Sequence, residues 1–174
     1  MILNELILKA QIFALKAHRH QKYGGNVPYS VHLFHVVEIA MHFLYLLPNG
    51  EDKINAIIGA WLHDCLEDTG MSYNDVKKIF GEKIADIVFG VTNEQGKNRI
   101  EKSTLTYPKT AQNRIAVYVK LCDRIANTRY SKTNKHRMFE QYKKEYEHFK
   151  QILFASDEYN DMWNYLDSLS ENNL

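Results

Sequence analysis

The chain has 174 residues, 45% of them hydrophobic, which is the length of one domain with enough apolar material for a real core. Lys and Arg number 22 against 21 Asp and Glu, so the net charge of +1 gives no global field for a polyanion such as DNA, and any basic function must be local. Two distant cysteines, Cys65 and Cys122, with no CxxC argue against a disulfide scaffold or a thiolate zinc site and fit a reducing cytosol.

The first twenty residues, MILNELILKAQIFALKAHRH, lack a basic leader region and are interrupted by Glu5, Lys9 and Lys16. Leu6, Ile7, Ala10, Phe13, Ala14 and Ala17 recur at three-to-four spacing, which predicts an amphipathic helix rather than a signal peptide. YGGNVP separates it from a second helix starting near Tyr29, and PNG at 48–50 ends that helix before a third begins near Glu51. TGMSYNDVKKIFG predicts a turn and a short helix capped by Ser72 with Asp75 and stopped at Gly81, then a helix over roughly 82–91. Residues 92–108, TNEQGKNRIEKSTLTYP, are the longest nonperiodic polar segment and predict a long loop of the kind that often carries function. Helices over about 110–130, 134–154 and 157–170 complete an all-α bundle, one domain over 1–174, with the three prolines outside helix interiors. Apolar runs such as IIGAWL fall far short of a membrane span, so a soluble chain is expected.

The stretch AWLHDCLEDTG, residues 60–70, has the flank of a buried helix yet carries His63, Asp64, Glu67 and Asp68. At helical spacing His63 and Glu67 are one turn apart, as are Asp64 and Asp68, on adjoining strips of one surface. Two carboxylates about 5 Å apart repel by roughly 3 kcal/mol at an effective dielectric near 20, a cost that a divalent cation would offset. Two other segments offer ligands: PYSVHLFHVVEIA with His32 and His35, and VKLCDRIANTR, where Asp123 interrupts a core-like run with Asn127 one turn on.

His32, the doublet His63-Asp64 and Asp123 match the ordered H…HD…D pattern of HD-domain metal-dependent phosphohydrolases. Within that group, AHRHQKYGGNVPYSVH, LHDCLEDTG, FGEKIADIVFGVT and KLCDRIANTR resemble four linked motifs of the hydrolase domain of RelA/SpoT-type alarmone hydrolases, over about residues 10–130. Without that family's synthetase domain, the chain looks like a stand-alone small hydrolase. The resemblance implies an HD-domain helical bundle in which His32, His63, Asp64 and Asp123 hold the metal. Two imidazoles and two carboxylates without sulfur suit Mn, Fe, Ni or Zn by chemistry alone, and the resemblance tips this toward Mn²⁺. It also assigns Glu67 and Asp68 to proton handling on the attacking water without choosing between them; Glu67, on the helix strip of His63, is preferred here as base and Asp68 as helper.

The implied reaction removes the 3′-pyrophosphate of (p)ppGpp to give GDP or GTP and pyrophosphate, in a cytoplasmic enzyme whose partner is a small nucleotide rather than nucleic acid or membrane. Two other readings stand beside it: the same centre acting on another nucleotide or phosphoester, and a non-catalytic nucleotide-binding HD module, against which Glu67 and Asp68 count. The basic residues Lys97, Arg99 and Lys102 are expected to reach the phosphates, Asn127 a ribose hydroxyl, and Tyr142 the base or ribose. Where the family commonly carries two consecutive basic residues, one stacking on guanine, this chain has Lys22 and Tyr23, so Tyr23 is the expected stacking surface with less charge beside it. His35 and His42 read as packing residues, His18 and His20 as solvated surface, and Cys65, Cys122, Trp61, Phe80 and Phe89 as core.

Overall fold

A computed structural model describes residues 2–154 and 157–170, so the expected unit over 1–174 includes a few residues outside that description. The N-terminal helix α1 (Ile2–Ala17) buries Ala10 and Ala14 against the bundle and leads into a two-stranded antiparallel ribbon, β1 (Lys22–Tyr23) and β2 (Val27–Pro28). YGGNVP is thus a hairpin, where the sequence predicts only a separator. After it come α2 (Ser30–His42), a 3-10 turn at Leu44–Leu46, and α3 (Gly50–Leu62), whose first turn is closed by Asn49 accepting from the Asp52 amide at 2.8 Å.

The stretch AWLHDCLEDTG is not one helix. α3 ends at Leu62, the short α4 spans Cys65–Asp68, and Asp64 between them sits at φ −99° and ψ 0°. The helix yields where its charged residues turn into the site. α5 (Tyr73–Phe80) carries the expected capping box of Ser72 and Asp75 and stops at Gly81, and α6 (Glu82–Val91) follows. Next is a correction: the predicted loop over 92–108 is helical from Arg99, as α7 (Arg99–Thr110), and Pro108 lies inside it. Near the C-terminal end a proline removes one ladder hydrogen bond without breaking the helix. The helix escapes a hydrophobic count because its buried face is Thr106, Tyr107 and Thr110, while Ile100 and Leu105 point outward.

The central element is α8 (Arg114–Thr133), with Tyr118, Val119, Leu121, Cys122, Ile125 and Ala126 fully buried. Around it pack α2, α3, α6, α9 (Met138–Leu153) and, beyond a 3-10 turn at Asp157–Tyr159, α10 (Asn160–Ser170). Gly59 lets α3 approach closely: a Cβ there would lie 2.8 Å from Ile87 and 3.2 Å from Val119. This brings the C-terminal end of α3 beside the middle of α8. Cys65, Cys122, Trp61 and Phe80 are core as expected, whereas Phe89 is 45% exposed beneath Lys109, whose Nζ is 4.3 Å from the ring centre. His42 lies exposed at the end of α2 and His35 is half-buried. His18, expected at the surface, is buried against Tyr29. Among the described residues no helix is long and apolar enough to cross a membrane.

Candidate metal centre and substrate cleft

Three parts of the bundle converge on one point: α2 presents His32, the α3–α4 junction His63 and Asp64, and α8 Asp123. His32 Nε2 lies 3.1 Å from His63 Nε2, 3.3 Å from Asp123 Oδ1 and 3.5 Å from Asp64 Oδ2. His63 Nε2 is 2.9 Å from Asp64 Oδ2 and 3.8 Å from Asp123 Oδ1. One donor atom each from His32, His63 and Asp123 falls within 4.8 Å of the others. This cluster can hold a divalent metal. The donor chemistry fits: His63 Nδ1 donates to the Ala60 carbonyl at 2.8 Å, so the neutral ring turns its Nε2 lone pair to the cluster.

The electrostatics point the same way. Burial lowers the basicity of both imidazoles, but Asp64 and Asp123 outweigh it, raising His32 to about 9 and shifting His63 upward. Burial alone would raise the two carboxylic acids as well. Contacts with His63 and His32 instead hold Asp64 well below the ordinary carboxylate range, and His32, His63 and Lys120 lower Asp123. Two partly buried carboxylates therefore call for about two positive charges, which either imidazolium protons or a dication would supply.

Supporting contacts hold these groups in place. Tyr29 donates its hydroxyl to Asp64, Asn127 Nδ2 donates to Asp123 Oδ1 at 2.5 Å, and Lys120 lies 4.0 Å from Asp123 Oδ2. Lys120 itself donates to the Val91 carbonyl at 2.9 Å and to Asn93 Oδ1 at 3.3 Å. Glu67 accepts from the backbone and side-chain N–H groups of Asn93, both at 3.1 Å, and Asp68 accepts from Gln21 Nε2 at 2.7 Å. Gln21 Oε1 is in turn 2.6 Å from His18 Nδ1. Unlike the histidines, Glu67 and Asp68 face solvent.

Above this floor opens a cleft of about 220 Å³. Glu67, Asp68, Arg99, Lys102, Asn127 and Tyr142 line it together with the metal-side acids. On the far wall Arg99 forms a two-pronged pair with Glu145, at 2.6 and 2.9 Å, and Arg124 joins the same carboxylate at 3.2 Å while donating to Tyr107 Oη at 3.0 Å. The ring of Tyr142 lies 4.8 Å from the Arg124 guanidinium carbon and 5.8 Å from that of Arg99. Burial would raise the Glu145 carboxyl, but Arg99, Gln141 and Arg124 overcome it and bring it down to about 2. Lys102 lines the cleft with no carboxylate partner among the described residues.

A family profile described as "HD domain" matches residues 10–156. The chain belongs to the HD-domain family. This HD-domain chain is 36% identical over 133 residues to the guanosine-3′,5′-bis(diphosphate) 3′-pyrophosphohydrolase of Aquifex aeolicus, covering 72% of its own length and 18% of the relative's. It is 30% identical over 128 residues to the guanosine-3′,5′-bis(diphosphate) 3′-pyrophosphohydrolase MESH1 of Danio rerio, covering 71% of its own length and 68% of the relative's. A solved structure reported as "A metazoan ortholog of SpoT hydrolyzes ppGpp and plays a role in starvation responses" superposes with a TM-score of 0.76 at 23% identity, over 94% of this chain and 93% of that one. The last likeness speaks to the fold: an HD-domain helical bundle.

Not every expected contact residue of the HD-domain chain reaches the cleft. Lys22 and Lys97 are exposed and do not line it, and Tyr23 is turned beneath His32, its ring centre 4.8 Å from the imidazole. Arg99 and Lys102 come from the first turn of α7 rather than from a loop. Asn127 lines the cleft but spends its amide on Asp123 and on the Tyr23 hydroxyl. Sequence reasoning missed Tyr29, Asn93, Lys120, Arg124 and Glu145. Lys120 and Arg124 carried the signal that exposed Asp123, charge in a core-like run, and both are buried. Glu145 gave no signal, because KKEYEHF reads as a solvated helix face.

Proposed function

We propose that the chain is a metal-dependent hydrolase that removes the 3′-pyrophosphate of guanosine alarmones, (p)ppGpp, releasing GDP or GTP and pyrophosphate. The observation that carries this reading is the placement of two carboxylates, Glu67 and Asp68, at the mouth of a His–Asp cluster, in a cleft whose far wall is cationic. The names of the relatives supply the substrate. His32, His63, Asp64 and Asp123 would hold the cation, Mn²⁺ or another divalent transition metal, which supplies Lewis-acid polarisation of the phosphoryl group.

The chain's own residues do the rest. Glu67, steadied by two N–H groups of Asn93, takes a proton from the water as its oxygen attacks phosphorus. The bond from phosphorus to the 3′-oxygen breaks, pyrophosphate departs, and the 3′-oxygen collects a proton. Asp68, held by Gln21, assists that proton traffic. Lys102 and Arg99 hold remaining phosphates, with Tyr142 offering a face to the nucleoside. We place this activity in a single domain in the cytoplasm, where the buried free thiols of Cys65 and Cys122 stay reduced, with a small nucleotide as partner and neither nucleic acid nor membrane.

One observation favours a second reading, the same centre acting on another nucleotide or phosphoester: Tyr23, the expected guanine platform, is committed to His32 and Asn127 instead. The test is to incubate Mn²⁺-loaded protein with ppGpp, pppGpp, and ordinary nucleoside mono- and triphosphates, identifying products by mass. GDP and pyrophosphate from ppGpp are expected. Turnover of ordinary nucleotides with none of 3′-pyrophosphorylated ones would transfer the assignment to the second reading. Binding of ppGpp without any product would leave a non-catalytic module.

A further inference from the structure

His32 and Asp123 differ from His63 in how they are held. His63 has its second ring nitrogen tied to the Ala60 carbonyl, whereas His32 Nδ1 is buried with no hydrogen-bond partner among the described residues. An imidazole that ligates a metal is usually oriented by a hydrogen bond at its other nitrogen, so something else must fix the His32 ring. The Tyr23 ring lies against it, centres 4.8 Å apart and planes 28° from parallel. The same tyrosine donates its hydroxyl to Asn127 Oδ1 at 2.9 Å, and Asn127 Nδ2 passes the contact on to Asp123 Oδ1 at 2.5 Å. One side chain of the β-hairpin thus reaches two groups of the cluster on two different helices.

The hairpin is built to keep Tyr23 there. Tyr130 of α8 also packs against it, ring centres 4.5 Å apart, and the Tyr29 ring meets it edge-on at 6.1 Å. Gly24, at φ +51°, leaves room for this arrangement: a Cβ would lie 2.7 Å from the Tyr130 hydroxyl and 2.9 Å from its ring. Any larger residue at 24 would push away the ring that backs Tyr23.

We propose that Tyr23 is a positioning residue of the metal centre, orienting His32 through its ring and Asp123 through Asn127, rather than a surface on which a nucleobase stacks. This rests on reading the His32–His63–Asp64–Asp123 cluster as a divalent metal site. Loss of a partner behind a metal ligand typically weakens metal affinity by about 10- to 100-fold, and that scale sets the test.

The experiment titrates Mn²⁺ calorimetrically into the chelator-stripped protein, comparing wild type with Tyr23→Phe and Tyr23→Leu. Tyr23→Phe keeps the ring contact and loses the donor, so Mn²⁺ affinity should fall by roughly tenfold; Tyr23→Leu loses both and should approach roughly 100-fold. Melting of the metal-free proteins checks folding, and the near-isosteric Phe variant keeps the test decisive if the Leu variant does not fold. At saturating Mn²⁺ both variants should regain turnover, with KM and the guanine-to-adenine preference unchanged. Variant affinities equal to wild type, or a loss of base preference at unchanged Mn²⁺ affinity, would overturn the role of Tyr23 alone. A wild type that takes up no Mn²⁺ would overturn it together with the metal reading, whereas failure to cleave ppGpp with the Mn²⁺ results intact would overturn only the alarmone assignment.

Discussion

The floor of the cleft and its far wall are both built from charged residues, yet they obey different physics. On the floor, His32 and His63 are 2% and 3% exposed, so each carboxylate contact acts in a low dielectric and each partner is needed to keep the others ionised. On the wall, the Arg99 side chain is 54% exposed, and its pair with Glu145 is screened by water and salt. The floor draws on α2, the α3–α4 junction and α8, and the wall on α7, α8 and α9. Removing a floor residue should therefore abolish a property. Removing a wall residue should only scale one.

The largest effect is expected at Asp123, whose Oδ1 sits 3.3 Å from His32 and 3.8 Å from His63. Asp123→Ala removes one of two neutralising charges, and Mn²⁺ binding measured by titration should drop below detection along with turnover. Detectable Mn²⁺ uptake near the wild-type level would mean that the floor is not a single coupled unit. Next comes Glu67→Gln, which keeps the shape beside Asn93 but removes the proton acceptor; kcat should fall by roughly two to four orders of magnitude with Mn²⁺ affinity unchanged. Near-normal turnover would take the base role from Glu67.

The wall should respond in KM. Lys102→Ala is expected to raise KM for ppGpp by about tenfold while leaving kcat nearly intact, because a contact remote from phosphorus contributes mainly uniform binding. Lys97→Ala, at a residue outside the cleft, should change neither constant. Steady-state kinetics on the two variants separates them, and equal effects would show that the segment before α7 closes over substrate. Glu145→Gln should be read in stability rather than in kinetics. Pairing holds the Glu145 carboxyl near 2 against an ordinary 4.5, so its contribution to stability is complete above about 4.5 and fades as pH falls through 2. Glu145 and Arg124 are largely buried, so thermal melts at neutral pH should show a loss of roughly 1 to 3 kcal/mol, and the gap between wild type and variant should narrow as pH drops through that window. A gap that widens in acid would contradict the pairing.

From residues alone, most of the helices, the capping box at Ser72 and Asp75, and the anomalous charges at His63, Asp64 and Asp123 could be read, because each leaves a local mark; joining His32 to them rested on the resemblance to the HD pattern. Apolar spacing, a cap three residues before its partner, or a charge inside an apolar run is visible without knowing what lies across the bundle. α7 escaped because its buried face is threonine and tyrosine, which do not count as a hydrophobic stripe, although they bury as well as one. Other features had no local mark at all. That Tyr23 lies under His32 depends on a hydrogen bond to Asn127 spanning 104 positions, and that Glu145 faces two arginines depends on α9 crossing α7 and α8. Sequence determines which residues want burial and which carry charge. Packing decides which of those charges meet, because hydrogen bonds and ion pairs act over a few ångströms and only the folded chain brings distant residues that close.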